Sequence, residues 1–333
     1  MRSTILILVL TLTSLVHPED HAVIVLYHHV SQDTPASTSV SPARFSAHLD
    51  YLSDHQFNVL ALTDMIARLR SGERLPDNAV AITFDDGYRS VLTTAAPELK
   101  RRNFPFTVFV NPSSVPNGGI YLNWQELKEI QAAGGDIQNH GHRHDRISHP
   151  DRNESQAKWR QRVVEEIEFG QRAIADHLGH RPTLFAYPYG EFSPALAEIV
   201  LDMGLTGLGQ HSGAVGYLSN FGGLPRHPFY TGADHIERFA LRINTRPMPV
   251  VAAPQGPLRV AAEAKVELHL EHIMANTRCF FDGHPAQAQS SSGLSRQYEL
   301  GPFPQRRTKF NCTKADEIGN FYWWSYLFIR ERA

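Results

Sequence analysis

At 333 residues the chain has room for one large or two ordinary domains, and 42% hydrophobic with 20% charged residues is the balance of a chain that buries a core. A formal net charge of −2, with no stripe of Lys or Arg, argues against nucleic acid as a partner. Arg2 precedes an apolar run from Ile5 to Val16, which has the form of an export signal and is short for a membrane span. Residues 1–21 are assigned to it, with cleavage between Val16 and Ala22 and no stable membrane span after processing.

Strands and helices then alternate. Ala22 to Tyr27 is an apolar, β-branched run and reads as a strand. Ser41-Pro42 offers an N-cap with proline at the first helical position, and Phe45, Leu49 and Leu52 make one helical face. Phe57 to Leu60 reads as a strand, and Thr63 as the cap of a short helix ending near Gly72. The run Ala79-Val80-Ala81-Ile82 is a strand leading into Thr83-Phe84-Asp85-Asp86-Gly87. A helix through Val91, Ala95 and Leu99 and a strand over Phe106 to Val110 follow. Asn123 and Glu126 have the spacing of a capping box for a helix through Leu127 and Ile130. Trp159, Val163, Ile167, Gly170, Ile174 and Leu178 keep a 3–4 spacing that ends at Gly179, so Trp159 belongs to the core. Thr183 to Tyr187 is a further strand, and Ser193 opens a helix through Leu196 and Ile199. This alternation predicts a parallel α/β sheet, closed or open, over residues 22–245.

Composition changes after Asn244. Pro247, Pro249, Pro254 and Pro257 mark residues 246–257 as a linker. Beyond it, Leu258, Val260, Val266, Leu268 and Leu270 alternate, and Phe321 to Tyr326 is aromatic and strand-like. Residues 258–333 therefore read as a small C-terminal β-sandwich-like module. Its two cysteines, Cys279 and Cys312, are the chain's only pair and in an exported protein read as a disulfide. Trp323-Trp324 could form a sugar platform, although strand alternation would bury one of the two.

The chemistry-bearing motifs sit at predicted strand ends. Two adjacent carboxylates on a glycine turn, Asp85 and Asp86, point in different directions, so one can hold a metal while the other faces a water. His140 and His144 supply an H-x-x-x-H pair, and Tyr187-Pro188-Tyr189-Gly190 ends a later strand.

In this order the segments resemble the motifs of polysaccharide deacetylases of carbohydrate esterase family 4. Thr83 to Gly87 matches the first motif. His140 and His144 match the second, with Gly141 in place of Ser or Thr. Pro188-Tyr189-Gly190 matches the third, with Ala186 where an arginine usually stands. Leu26-Tyr27-His28-His29-Val30 resembles the first strand of a branch acting on exported N-acetylglucosamine polymers. The resemblance implies a distorted (β/α) barrel of about seven strands. It implies a divalent metal on Asp86, His140 and His144; two imidazoles and a carboxylate suit zinc first, and also iron, cobalt or nickel. Asp85 would be the general base and the backbone N–H of Tyr189 the oxyanion donor. The general acid, a late histidine in the family, is assigned to His227, with His211 second; His142 and His29 could approach the metal. Arg226, after the turn-forming Gly222-Gly223-Leu224-Pro225, is assigned to replace the missing arginine beside Asp85. The implied activity is metal-dependent N-deacetylation of an N-acetylglucosamine polysaccharide by a periplasmic or secreted hydrolase. An O-acetyl esterase and a non-catalytic polysaccharide-binding protein are the alternatives.

Overall fold

The computed structural model describes residues 20–117, 119–252, 259–260, 263–303 and 305–330. Most of the expected signal, and Pro254, Pro257 and Leu258 of the expected linker and module, lie outside these residues.

The N-terminal unit is a distorted barrel. Its strands are β1 (His21–Tyr27), β2 (Asn58–Val59), β3 (Ala79–Phe84), β4 (Phe106–Val110), β5 (Gly135–Asn139), β6 (Leu184–Ala186) and β7 (Thr206–Leu208). Their path runs β1-β3-β4-β5-β6-β7, with β2 parallel on β3 and Val215–Gly216 antiparallel on the far edge of β1. β1 and β3 are almost wholly buried, as expected of parallel strands covered on both faces. The folded unit reaches back to Asp20, whose carboxylate accepts from the Leu75 N–H at 2.8 Å, and His21 is the first residue of β1. These two residues, counted with the signal by sequence, belong to the barrel.

The segment from Leu224 to Pro228 spans the gap between the last and first parallel strands. Leu224 bridges to Leu208 of β7, and His227–Pro228 pairs with Val25 and Leu26 of β1. Successive residues of an extended segment face opposite ways. Here Arg226 turns into the barrel while His227 turns out toward the C-terminal module.

The α-helices among the described residues are α1 (Pro42–Asp54), α2 (Leu62–Ser71), α3 (Ala96–Arg101), α4 (Trp124–Ala132), α5 (Gln156–Leu178), α6 (Pro194–Asp202) and α7 (Ile236–Ile243). Ser41, Asn123 and Ser193 accept N-cap hydrogen bonds, and Asn123 with Glu126 completes a capping box. Thr63 does not cap α2: the N-cap is Ala61, which makes no side-chain cap bond. α5 stops at Gly179, whose φ of 77° is the left-handed C-cap that glycine adopts without a Cβ clash. Gly170 lets α5 approach β5, since a Cβ there would lie 2.4 Å from the Asn139 amide oxygen.

The C-terminal module packs two sheets around Val266, Leu268, Leu270, Tyr298, Phe310 and Phe328. Its longest strands, Arg307–Ala315 and Phe321–Arg330, are antiparallel partners over nine residue pairs. Cys279 and Cys312 face each other across neighbouring strands and are bridged. The expected linker is structured in its described part: Arg246–Pro247 pairs with Phe321–Arg330, and Val250–Ala252 with Ala264–Leu270. Trp323 and Trp324 lie on opposite faces of their strand. Trp324 packs on the sandwich core, and Trp323 meets the His227 ring at 5.6 Å. They do not form a shared platform.

Candidate active site

The site lies where β1, β3, β5 and β6 end. Leaving β3, Asp85 donates its backbone N–H to the Tyr27 carbonyl at 3.0 Å, which sets the end of β3 level with the end of β1. Asp86 follows with φ 71°, and Gly87 continues the turn at φ 67°. His144 (φ 61°) and Tyr189 (φ 60°) are likewise left-handed. Three non-glycine residues in that region around one point mark a place where surrounding contacts hold a costly backbone, a common property of functional sites. Gly141, where Ser or Thr was expected by resemblance, has φ 82°, which favours glycine.

Asp85 is fully buried and held by a bidentate ion pair. Arg226 Nη1 donates to Oδ1 at 2.7 Å and Nη2 to Oδ2 at 2.8 Å, with both side chains at 0% exposure. The guanidinium is itself fixed: Nε donates to the Gly209 carbonyl at 2.8 Å and Nη1 to Thr83 Oγ1 at 3.3 Å. Gln210 Nε2 adds a contact to Asp85 Oδ2 at 3.3 Å. Burial alone would raise the pKa of Asp85. The charge and hydrogen bonds of Arg226, with help from His140, outweigh it and hold the carboxyl below its ordinary value. The arginine missing at Ala186 is thus replaced in space by one from the barrel-closing segment. Ala186 uses its carbonyl to accept from His140 Nδ1 at 2.8 Å.

Asp86, His140 and His144 converge. Asp86 Oδ1 lies 3.3 Å from Nε2 of each histidine, and one donor atom from each residue falls within 4.8 Å of the others. The Ala186 bond commits His140 Nδ1 as a donor, so its neutral ring presents the Nε2 lone pair to the carboxylate. That Nε2 is buried and has no hydrogen-bond partner. A lone pair facing an anion in a dry site is satisfied by a cation, and two imidazoles with a carboxylate are a donor set for a divalent transition metal. The residues present therefore fit a metal.

The other expected residues divide. Tyr189 sits in the turn after β6, its ring edge-on to His144 at 4.4 Å. His227 is not brought to the carboxylates. Its Nε2 meets Thr245 Oγ1 at 3.0 Å, it faces Trp323, and burial drives its basicity well down. His211 is buried beside Phe192 and held neutral, to about 3, chiefly by burial. His142 packs near Phe169, and His29 stacks on Tyr88 at 3.5 Å with its pKa lowered by burial to about 4. The histidine that joins the site is His28, the residue after β1. Burial lowers its pKa, the charges of Asp86 and Asp85 work the other way, and it also feels Arg226 and His140. The signal for it was the Tyr27-His28-His29 sequence at the end of β1, where its neighbour His29 was singled out instead.

Residues 72–208 match the family model for polysaccharide deacetylases. A putative polysaccharide deacetylase of Bacillus subtilis is 26% identical over 171 residues, 51% of this chain and 57% of the relative. A poly-beta-1,6-N-acetyl-D-glucosamine N-deacetylase of Staphylococcus aureus is 23% identical over 185 residues, 54% of this chain and 63% of the relative. The chain thus spans less than two thirds of the length of these curated relatives. A Streptococcus pyogenes deacetylase solved with acetate superposes with a TM-score of 0.60 at 19% identity, covering 67% of this chain and 98% of that one. IcaB of Ammonifex degensii gives 0.59 at 24% identity, covering 67% and 97%. At these identities the two structures establish a shared fold.

Proposed function

We propose that this chain, whose residues 72–208 match the polysaccharide deacetylase family, removes N-acetyl groups from an N-acetylglucosamine-containing polysaccharide by metal-dependent hydrolysis. The observation that carries the reading is the buried Arg226–Asp85 pair set beside the convergent Asp86, His140 and His144. The names of relatives such as the Staphylococcus aureus enzyme support the choice of polymer.

Asp86, His140 and His144 would hold the metal, with zinc the first choice and iron, cobalt or nickel compatible with the same donors. When bound, such an ion supplies Lewis-acid polarisation of the acetamide carbonyl and lowers the pKa of a bound water. Asp85 takes the proton from the attacking water. Its two oxygens offer more lone pairs than Arg226 and Gln210 occupy, and Arg226 keeps it ionised and fixed in direction. The backbone N–H of Tyr189 is the proposed donor to the carbonyl oxygen as charge develops there. His28 replaces His227 as the proposed acid for the leaving amine, because it follows β1 at the strand ends where the site lies, is acted on by both Asp85 and Asp86, and is not one of the residues assigned to the metal. Burial lowers its pKa, and the two carboxylates act against that shift.

The bridged cysteines support an oxidising compartment, periplasmic or secreted. Among the described residues no helix is long and apolar enough to cross a membrane. The test is acetate release from a panel of N-acetylated and O-acetylated glycans, with and without chelator. Release from the N-acetylated polymer that chelator abolishes is the expected result. Release from O-acetyl esters alone, or none at all, would overturn the assignment.

A further inference from the structure

The C-terminal module reaches the turn that carries Tyr189 through a buried carboxylate. Glu191 follows the Pro188-Tyr189-Gly190 turn, and its carboxylate is 1% exposed. Two arginines pair with it directly, and the charge of Arg307 acts on it as well. Arg146, from the loop that carries His140 and His144, pairs with Oε1, and Arg306, from the module, reaches Oε2 at 3.1 Å. Arg306 is tied to the module by its carbonyl, which accepts from the Arg330 N–H of the last strand at 2.8 Å. The Arg146 guanidinium also lies 3.6 Å over the Tyr189 ring, and that ring is edge-on to His144 at 4.4 Å.

We propose that Arg306 is a positioning residue for the barrel's reaction, so that the C-terminal module is a working part of the active site. A buried carboxylate needs its charge fully compensated. With Arg306 present, Glu191 holds Arg146 in place over Tyr189 and is itself held by the module. Without it, Arg146 is left as the directly paired cation, with only the nearby charge of Arg307 beside it, and the stack on Tyr189 loosens. Tyr189 is sensitive to that loss, because a left-handed non-glycine backbone persists only where its surroundings over-determine it. The chain of contacts runs from the module to Tyr189, whose backbone N–H is the proposed oxyanion donor, and to His144 of the proposed metal site. It joins three sequence-distant loops that no motif links.

This inference rests on the deacetylase reading, and its test separates the two. Arg306→Ala, Arg306→Lys and Tyr217→Phe are compared with the full wild-type chain. Tyr217 is the control: its hydroxyl bonds Glu271 at 2.6 and 2.7 Å, another contact between barrel and module and one remote from Tyr189. Arg306→Ala is expected to lower kcat for the polymer by about 10- to 100-fold, the scale of a small misplacement, with KM little changed. Arg306→Lys should recover part of the loss, and Tyr217→Phe should match wild type. Hydrogen exchange of the peptide spanning residues 186–193 should quicken in Arg306→Ala and not in Tyr217→Phe. This readout needs no activity, so it judges the positioning role even if the deacetylase reading fails. If Arg306→Ala does not fold, the exchange and kcat of Arg306→Lys decide the matter, with intermediate values expected. Wild-type exchange and kcat in the folded Arg306 variants, or equal losses in Tyr217→Phe, would overturn the proposal.

Discussion

Replacing Arg226 by Ala tests the central ion pair. In the folded chain Asp85 is fully buried, and Arg226 is its one bonded cation, through two hydrogen bonds of 2.7 and 2.8 Å. An opposite charge at that range moves a carboxyl pKa by about 1–3 units, and here it overcomes the upward push of burial. The base works only when ionised. A carboxyl whose folded pKa is depressed is active above that pKa and loses activity as pH falls through it. Removing Arg226 raises the folded pKa, so the acidic limb of the kcat/KM profile should move up by about 1–3 pH units. The stability sign agrees. The pair contributes stability at pH values above the unfolded carboxyl pKa, and that contribution fades as pH falls through the depressed folded value. Breaking a buried pair on one side costs about 3–5 kcal/mol, so the variant should also melt earlier at neutral pH. The assay is a pH series of acetate release on Arg226→Ala, with Arg226→Lys as the folded fallback because it keeps a point charge but not the bidentate fork. An acidic limb in Arg226→Ala that coincides with wild type, or one in Arg226→Lys that moves no less than in Arg226→Ala, would refute the argument that the charge of Arg226 keeps Asp85 ionised.

Other outcomes are open to direct measurement. His140→Ala and His144→Ala should each lose most bound divalent metal by elemental analysis after dialysis; full occupancy in both would remove them from the ligand set. Asp85→Asn keeps the side-chain shape and removes the basic oxygen, so it should retain metal yet lose about 10²–10⁴ in turnover. Comparable turnover would make another group the base. Reducing the Cys279–Cys312 bridge, which closes a separation of 33 residues, should destabilise the module by about 3–4 kcal/mol in the chain-entropy account. Urea melts in which reductant leaves the module's transition unmoved would contradict that.

Local patterns were readable from the chain alone. The apolar run before Asp85, the 3–4 spacing that ends at Gly179, and the Asn123–Glu126 capping box are signals carried within a dozen or two residues, and each predicts its element without tertiary help. The pairing of carboxylates and imidazoles at strand ends was also legible, because metal chemistry restricts which residue types can serve. Tertiary structure decided which residues face one another. Arg226 and His227 are neighbours in sequence, yet the extended segment that closes the barrel turns one toward Asp85 and the other toward Trp323. His28 and His29 divide in the same way at the end of β1, which is why the wrong imidazoles were singled out. The proline-rich stretch after Asn244 has a linker's composition, but its described part is recruited as strands by exposed sheet edges. The contact of Arg306 with Glu191 crosses 115 residues of sequence. It exists because burying Glu191 creates a demand for charge that Arg146 meets in part and the folded module completes.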